Sequence, residues 1–163
     1  MRKLLILLFL TLFSLGAQAG IEKNDKTVSI FGAYTSSDDS DTLILQAAAG
    51  YFVTDTLELQ AVILQVASED NVGNTTAVGG YGVNANLYIP GKSPDLIPYV
   101  GAGGTLILTD FNGMTDTTLG LNAQAGLKQF LKENIAVNYQ AQLVSSDTYD
   151  ATILSVGFTI FLE

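Results

Sequence analysis

Side chains that could perform acid–base chemistry are few in this sequence and stand apart from one another. Glu58 and Lys128 are the ionisable residues placed well inside hydrophobic, alternating stretches. Acid–base catalysis by carboxylates commonly pairs two titrating groups, and Glu58 has no second carboxylate beside it in such a stretch. The sequence also contains no His and no Cys, which removes imidazole and thiol chemistry. We therefore predict that the chain is not an enzyme and binds no cofactor.

Glu58 and Lys128 carry opposite charges, and the sequence leaves two arrangements open for them. A buried charge needs a partner, which favours a direct pair. Their positions on the third and sixth predicted strands, which are not neighbours, favour two side chains that reach water separately.

A second group of charged residues lies in the predicted turns. Asp38, Asp39 and Asp41 crowd the first of these turns, and oxygen ligands suit Ca²⁺ and Mg²⁺. The absence of EF-hand spacing favours a solvated, self-repelling rim over a metal site. We predict no dedicated metal site and keep these three residues as the candidate ligands.

The elements that must position these side chains are β-strands. Large apolar residues alternate with glycine, amide and small residues, as the two faces of a strand require. In one stretch, Leu119 and Leu121 alternate with Gly120 and Asn122. We predict eight strands separated by turns, at residues 27–34, 42–52, 57–67, 76–89, 97–109, 117–131, 135–144 and 152–162.

The polar face of these strands predicts which side is inside. Amides and glycines fill it almost without charge, and the sequence is 48% hydrophobic and only 14% charged. A soluble barrel would carry charges outside, so the pattern favours an all-β, eight-stranded antiparallel up-and-down transmembrane β-barrel. Its lumen would be packed with polar side chains, for which we select Glu58, Gln60, Asn122, Gln124, Lys128, Asn138 and Gln140.

The first residues predict export. Arg2 and Lys3 precede an apolar run that ends before the small-x-small site Ala17-Gln18-Ala19. We predict a signal peptide at residues 1–19 and one barrel domain at residues 20–163. Removal of the leader leaves five basic against 16 acidic residues, a net charge of −11, which argues against nucleic acid as a partner. No later apolar run approaches the length of a membrane helix.

The last stretch, TILSVGFTIFL, predicts how the barrel closes. An apolar strand edge aggregates unless another strand pairs with it, and the first strand is the natural partner. Near the turns on one side, the aromatic residues Tyr51, Phe52, Tyr88, Tyr99 and Phe130 cluster at one level. We interpret them as the lipid-facing aromatic girdle at the periplasmic interface.

Several of these motifs resemble the small bacterial outer-membrane β-barrel family, which includes the OmpA transmembrane domain, OmpX and OmpW. GYFVTDTLEL at residues 50–59 resembles the first periplasmic hairpin, and IPYVGAGG at residues 97–104 resembles the fifth strand. Ser155, Gly157, Ile160 and Leu162 fill the places of the C-terminal assembly signal, although the outward residues here are aliphatic and the last residue is Glu.

The resemblance implies location, partners and function classes. We expect a monomer in the bacterial outer membrane, in contact with membrane lipid and lipopolysaccharide and inserted by the barrel-assembly machinery. A structural or surface-interaction role ranks first. A narrow OmpW-like passage for small solutes is the alternative, and a lipid-modifying enzyme ranks last.

Overall fold

The chain folds into a closed barrel of eight strands. The computed structural model describes residues 21–162 without 37–39, 71–74, 92, 94, 112–113 and 148–149. The predicted signal peptide, Asp38 and Asp39 lie outside these residues. Within the described ranges, no helix has the length and apolar character needed to cross a membrane.

The strands follow one another around the barrel, and each pairs antiparallel with its neighbours in the chain. The eight-stranded, antiparallel, up-and-down fold predicted from the alternation is confirmed. The strands are β1 Lys26–Ser36, β2 Ser40–Phe52, β3 Leu57–Asp70, β4 Thr75–Tyr88, β5 Leu96–Phe111, β6 Met114–Lys132, β7 Ile135–Ser146 and β8 Asp150–Leu162.

Most strands run further than predicted at the end of the barrel away from the chain termini. The ladder between β5 and β6, for example, continues to Phe111 and Met114, where the prediction ended at residues 109 and 117. The sequence at these strand ends is rich in Thr and Asp and lacks the hydrophobic alternation, but its backbone groups can still form hydrogen bonds with the partner strand. Backbone pairing therefore extends beyond the residues whose side-chain alternation predicted the strands.

Closure joins β1 to β8. Lys26 pairs with Leu162 and the ladder continues to Gly32 and Val156, a total of seven residue pairs. Gly157 is buried within this ladder, and a Cβ there would collide with the Ile30 carbonyl oxygen and the Phe31 ring. Glycine is therefore the residue that lets the inward Phe31 lie across the closing strand.

The outer surface of the barrel is apolar. On β8, Leu154, Phe158, Ile160 and Leu162 are exposed on this face, while Ser155 is buried on the opposite one. Exposed aliphatic side chains continue around the other strands, among them Leu43, Ile63, Val83, Leu106, Leu121 and Leu143. An outward face of this composition suits contact with lipid chains.

Candidate functional site

The interior of the barrel contains the candidate site, and it is built in three layers. We name them the aromatic floor, at the end that carries the chain termini, the polar belt above it, and the apolar cup at the opposite end. The floor comprises Phe52, Tyr88, Ile97, Tyr99, Phe130, Ala136 and Phe161. The belt comprises Glu58, Gln60, Asn84, Asn86, Asn122, Gln124, Lys128, Asn138 and Gln140, and the cup is lined chiefly by Ala33, Ile44, Leu64, Val66, Val78, Ile107, Val144 and Ile153.

The aromatic floor corrects the predicted lipid-facing girdle. Of the five residues assigned to it, only Tyr51 points outward, and its hydroxyl donates to Asn24 Oδ1 at 2.7 Å. The other four are at most 3% exposed and pack inside the barrel. Their position along the barrel axis was predicted correctly, but strand parity decides the face: Phe52 follows outward Tyr51 and therefore points inward.

The floor rings touch one another across the lumen. Tyr99 lies 5.2 Å from Tyr88, Tyr88 lies 5.2 Å from Phe52, Phe52 lies 6.2 Å from Phe161, and Phe161 lies 5.2 Å from Phe130, measured between ring centroids. These separations fall in the range of favourable aromatic pairs. The rings come from the ends of β2, β4, β6 and β8 and the start of β5, so they span the lumen at this end.

Glu58 lies directly above the floor and is fully buried. Its carboxylate accepts hydrogen bonds from Thr27 Oγ1 at 2.5 Å, Tyr88 Oη at 2.7 Å, Gln60 Nε2 at 3.0 Å and Asn86 Nδ2 at 3.5 Å. Hydrogen bonds to an ionised carboxylate are stronger than those between neutral groups. Four donors converging on one carboxylate form a site that stabilises a buried negative charge.

Lys128 is equally buried, at 1% exposure, but its surroundings differ. Its ammonium nitrogen has no hydrogen-bond partner among the described residues. It lies instead over the rings of Tyr88, at 4.9 Å, and Phe161, at 5.1 Å. Such contacts attract a cation through the ring quadrupole, and more strongly when the pair is removed from water.

Tyr88 therefore joins the two charged residues. Its hydroxyl donates to Glu58, and the face of its ring lies beneath the ammonium of Lys128. This arrangement differs from both alternatives left open by the sequence, because the two charges neither reach water nor share a hydrogen bond. Both residues come from strands that are not neighbours, and Tyr88 on β4 lies between them.

The amides of the belt connect strands across the lumen. Gln124 Nε2 on β6 donates to Asn86 Oδ1 on β4 at 2.5 Å, over the intervening strand β5. On β5 itself, a Cβ at Gly101 would collide with Asn86 Oδ1, and a Cβ at Gly103 would collide with Asn84 Oδ1. The glycines of β5 thus leave the space in which amides from its two neighbours meet.

The remaining predicted lumen residues are also buried on the inward face. Asn138 Nδ2 donates to Thr159 Oγ1 at 2.6 Å, and Gln140 Oε1 accepts from Tyr99 Oη at 2.9 Å. Asn122 Nδ2 donates to Thr105 Oγ1 at 3.4 Å. Sequence reasoning missed the small hydroxyl residues of this network, which are Thr27, Ser29, Thr105 and Thr159, because the predicted lumen residues were chosen only among amides and charged side chains.

The cup departs from the expected polar lumen. Above Gln46, Asn122 and Gln142, the inward side chains are mainly aliphatic, and they enclose about 650 Å³. The sequence contained one indication of this apolar region, because Leu64 and Val66 lie on the same face of β3 as Glu58. The lumen is therefore polar only in the half nearer the floor.

The acidic turn residues give no assembled metal site in the described part of the chain. No group of three or more acidic side chains close enough to hold a metal ion occurs there. Asp41 is exposed at the start of β2, opposite Glu69 in the β2–β3 register.

Comparison with solved structures places this fold among known membrane barrels. The N-terminal β-barrel domain of OprF from Pseudomonas aeruginosa matches with a TM-score of 0.69 at 19% identity, covering 86% of this chain and 98% of that one. OprG from the same organism gives a TM-score of 0.63 at 12% identity, covering 91% and 100%. Ail from Yersinia pestis gives 0.60 at 13% identity, covering 86% and 100%. At such identities the likeness concerns the fold alone.

Sequence comparison identifies the family. No curated protein sequence matches this chain. The profile of the outer membrane protein beta-barrel domain matches residues 5–160, which is nearly the whole chain. This match agrees with the closed antiparallel barrel, its apolar outer face and its polar belt. The chain therefore belongs to the outer membrane protein beta-barrel domain family.

Proposed function

We propose that this protein is a closed outer-membrane barrel with a structural or surface-interaction role, which neither conducts solutes freely nor catalyses a reaction. The aromatic floor carries the proposal. Its rings, together with the Glu58 hydrogen bonds at the lower edge of the belt, fill the lumen at the end that bears both termini. An eight-stranded barrel has an interior about wide enough for side chains, so one such layer suffices to close it.

The proposed location and partners follow from the surface. The outward aliphatic face suits outer-membrane lipid and lipopolysaccharide chains, and β8 with Ser155, Gly157, Ile160 and Leu162 suits recognition by the barrel-assembly machinery. A signal peptide at residues 1–19 delivers the chain, and an even number of strands puts both termini in the periplasm. The protein acts as a monomer, and its acidic character disfavours nucleic acid.

The absence of catalysis rests on the side chains themselves. The chain has no His and no Cys. Glu58 is occupied by four donors, and a general base must instead have a lone pair directed at a substrate.

Recording from single barrels in a planar bilayer tests the closed lumen. We expect no large, steady conductance from the natural sequence. Phe52→Ala removes an inward floor ring and should raise conductance, while Tyr51→Ala, one residue away on the lipid face, should not. Steady porin-like conductance from the natural sequence would overturn the proposal.

One observation favours the alternative of a narrow OmpW-like passage for small solutes. The cup already occupies the outer half of the lumen, so only the belt and floor separate it from the periplasmic end. Small flickering currents that grow with Phe52→Ala would favour this passage over a closed barrel.

A further inference from the structure

The apolar cup is a cavity with a definite chemical character. It encloses about 650 Å³, within the range of small-molecule sites. Ile107 and Val144 are buried in its wall, and Leu64, Val66 and Ile153 are half-buried. The polar side chains in its lining are those of Thr and Tyr, and no charged side chain lines it among the described residues. A ligand for this cavity must therefore be largely aliphatic.

The cup is closed below and open to one side. Beneath it lie the buried amides of Gln46, Asn122 and Gln142 and then the floor. To the side, the β1–β8 ladder ends at Gly32 and Val156, although β1 continues to Ser36 and β8 starts at Asp150. We call the stretch in which β1 and β8 do not pair with each other, residues 33–36 and 150–155, the β1–β8 seam.

The cavity reaches the lipid face of the barrel through this seam. Its lining includes inward Ala33 and Ile153 and also outward Tyr34 and Leu154, which are 64% and 72% exposed. The register partner of Tyr34 on the other side is Leu43, which is also exposed. The opening therefore lies among the apolar residues of the outward face, where membrane lipid chains pack.

The seam also offers hydrogen bonds. Backbone groups on its two facing edges take no part in a β1–β8 ladder. Unpaired strand edges are costly in contact with hydrocarbon alone, and a polar head group at the rim could bond to them. The aliphatic lining and the polar edge together match an amphiphile with one chain.

We propose that the apolar cup binds a single aliphatic chain of an amphiphile, which enters from the outer leaflet through the β1–β8 seam. The cup is a retaining site, because the belt and floor below it block passage. The inference uses the orientation given under the proposed function, but binding itself can be measured whichever way the barrel is inserted. Its failure would leave the closed, non-conducting barrel untouched.

Binding is tested on the refolded barrel in nanodiscs of deuterated lipid, with labelled Ile, Leu and Val methyl groups and dodecanoate as the probe. We expect saturable shifts and intermolecular NOEs at the methyl groups of Leu64, Val66 and Val144. Outward Leu119 and Leu121 should show only the unsaturable changes of probe dissolved in the bilayer. Cup methyl groups that behave like these two would overturn the site.

A matched pair of variants on β3 checks the position of the chain. Val66→Asn places an amide in the cup wall and should weaken dodecanoate binding by roughly tenfold, because a buried polar group then lacks a partner. Gln65→Asn, on the lipid face of the same strand, should leave binding unchanged. Heat-modifiable gel mobility verifies that both variants fold. Equal affinities in the two folded variants would refute the cup as the site.

Cross-linking tests the route of entry, which is simple to arrange because the chain has no Cys. Tyr34→Cys and Leu154→Cys, joined by a flexible bis-maleimide, tie the seam shut. Tyr34→Cys and Leu43→Cys, joined in the same way, link strands already paired in register. We expect the first cross-link, and not the second, to slow dodecanoate exchange by about tenfold or more. If dodecanoate still binds saturably and exchanges at an unchanged rate when the seam is cross-linked, it enters from water, and the outer-leaflet route is refuted.

Discussion

Replacing Tyr88 by Phe tests whether Glu58 is a buried negative charge that the Tyr88 hydroxyl stabilises. In Tyr88→Phe the ring keeps its place against Phe52 and beneath the Lys128 ammonium, and only the 2.7 Å hydrogen bond to the carboxylate is lost. A hydrogen bond to a charged group contributes about 1.5–3 kcal/mol, so we expect the free energy of unfolding to fall by that amount.

The floor supplies a matched control. Tyr99 is as buried as Tyr88, at 3% exposure, but its hydroxyl donates at 2.9 Å to the neutral amide of Gln140. Tyr99→Phe should therefore cost only about 0.5–1.5 kcal/mol, the range for neutral hydrogen bonds. Both substitutions delete one hydroxyl oxygen from the same layer. The difference between their losses in unfolding free energy therefore reports the effect of the charge on the acceptor.

Urea unfolding in lipid vesicles, followed by far-ultraviolet circular dichroism and by heat-modifiable mobility, measures both variants. Combining Tyr88→Phe with Glu58→Gln completes a double-mutant cycle, and the coupling should be most of the Tyr88→Phe effect. If Tyr88→Phe costs no more than Tyr99→Phe, or shows no coupling to Glu58→Gln, Glu58 is not a buried charge stabilised by this hydroxyl.

Three further predictions concern assembly and the other buried charge. Gly157→Ala should reduce outer-membrane levels in a pulse-chase assay, because the added Cβ would collide with the Ile30 carbonyl oxygen of β1. Gly32→Ala should assemble normally, because a Cβ added there lies 3.9 Å from its nearest contact, Leu45. Equal levels of the two variants would contradict the role of close strand approach. Ile160→Asp places a carboxylate on the lipid face and should destabilise the barrel in vesicle unfolding. The loss should stay below the roughly 2–4 kcal/mol that Arg or Lys costs at the membrane midplane, because carboxylates cost less there and every charge costs less near the interface. In a Glu58→Gln background, Lys128→Met should leave the free energy of unfolding unchanged or raise it by roughly 1–4 kcal/mol, because an apolar chain replaces a buried ammonium. A large loss of stability in this background would show that the ring contacts of Lys128 outweigh its cost of desolvation.

The sequence alone determined the architecture of this protein. A charge-poor chain without long apolar runs, in which Leu119 and Leu121 alternate with Gly120 and Asn122, can satisfy its backbone in lipid only by pairing strands and closing them. The same period of two put Glu58 and Lys128 on the polar faces of their strands. Parity would also have turned Phe52 inward, had it been applied to the aromatic residues as it was to the amides.

The tertiary structure decided which side chains meet inside. Glu58, Tyr88 and Lys128 come from three strands that are not all neighbours, and only the stagger of the closed barrel brings them to one level. The apolar cup and the β1–β8 seam have the same origin, because they depend on where the closing ladder ends at Gly32. The alternation along a strand determines from local geometry whether each side chain points inward or outward. Its level along the barrel axis and its contacts across the lumen depend instead on the register of every pair of strands around the barrel.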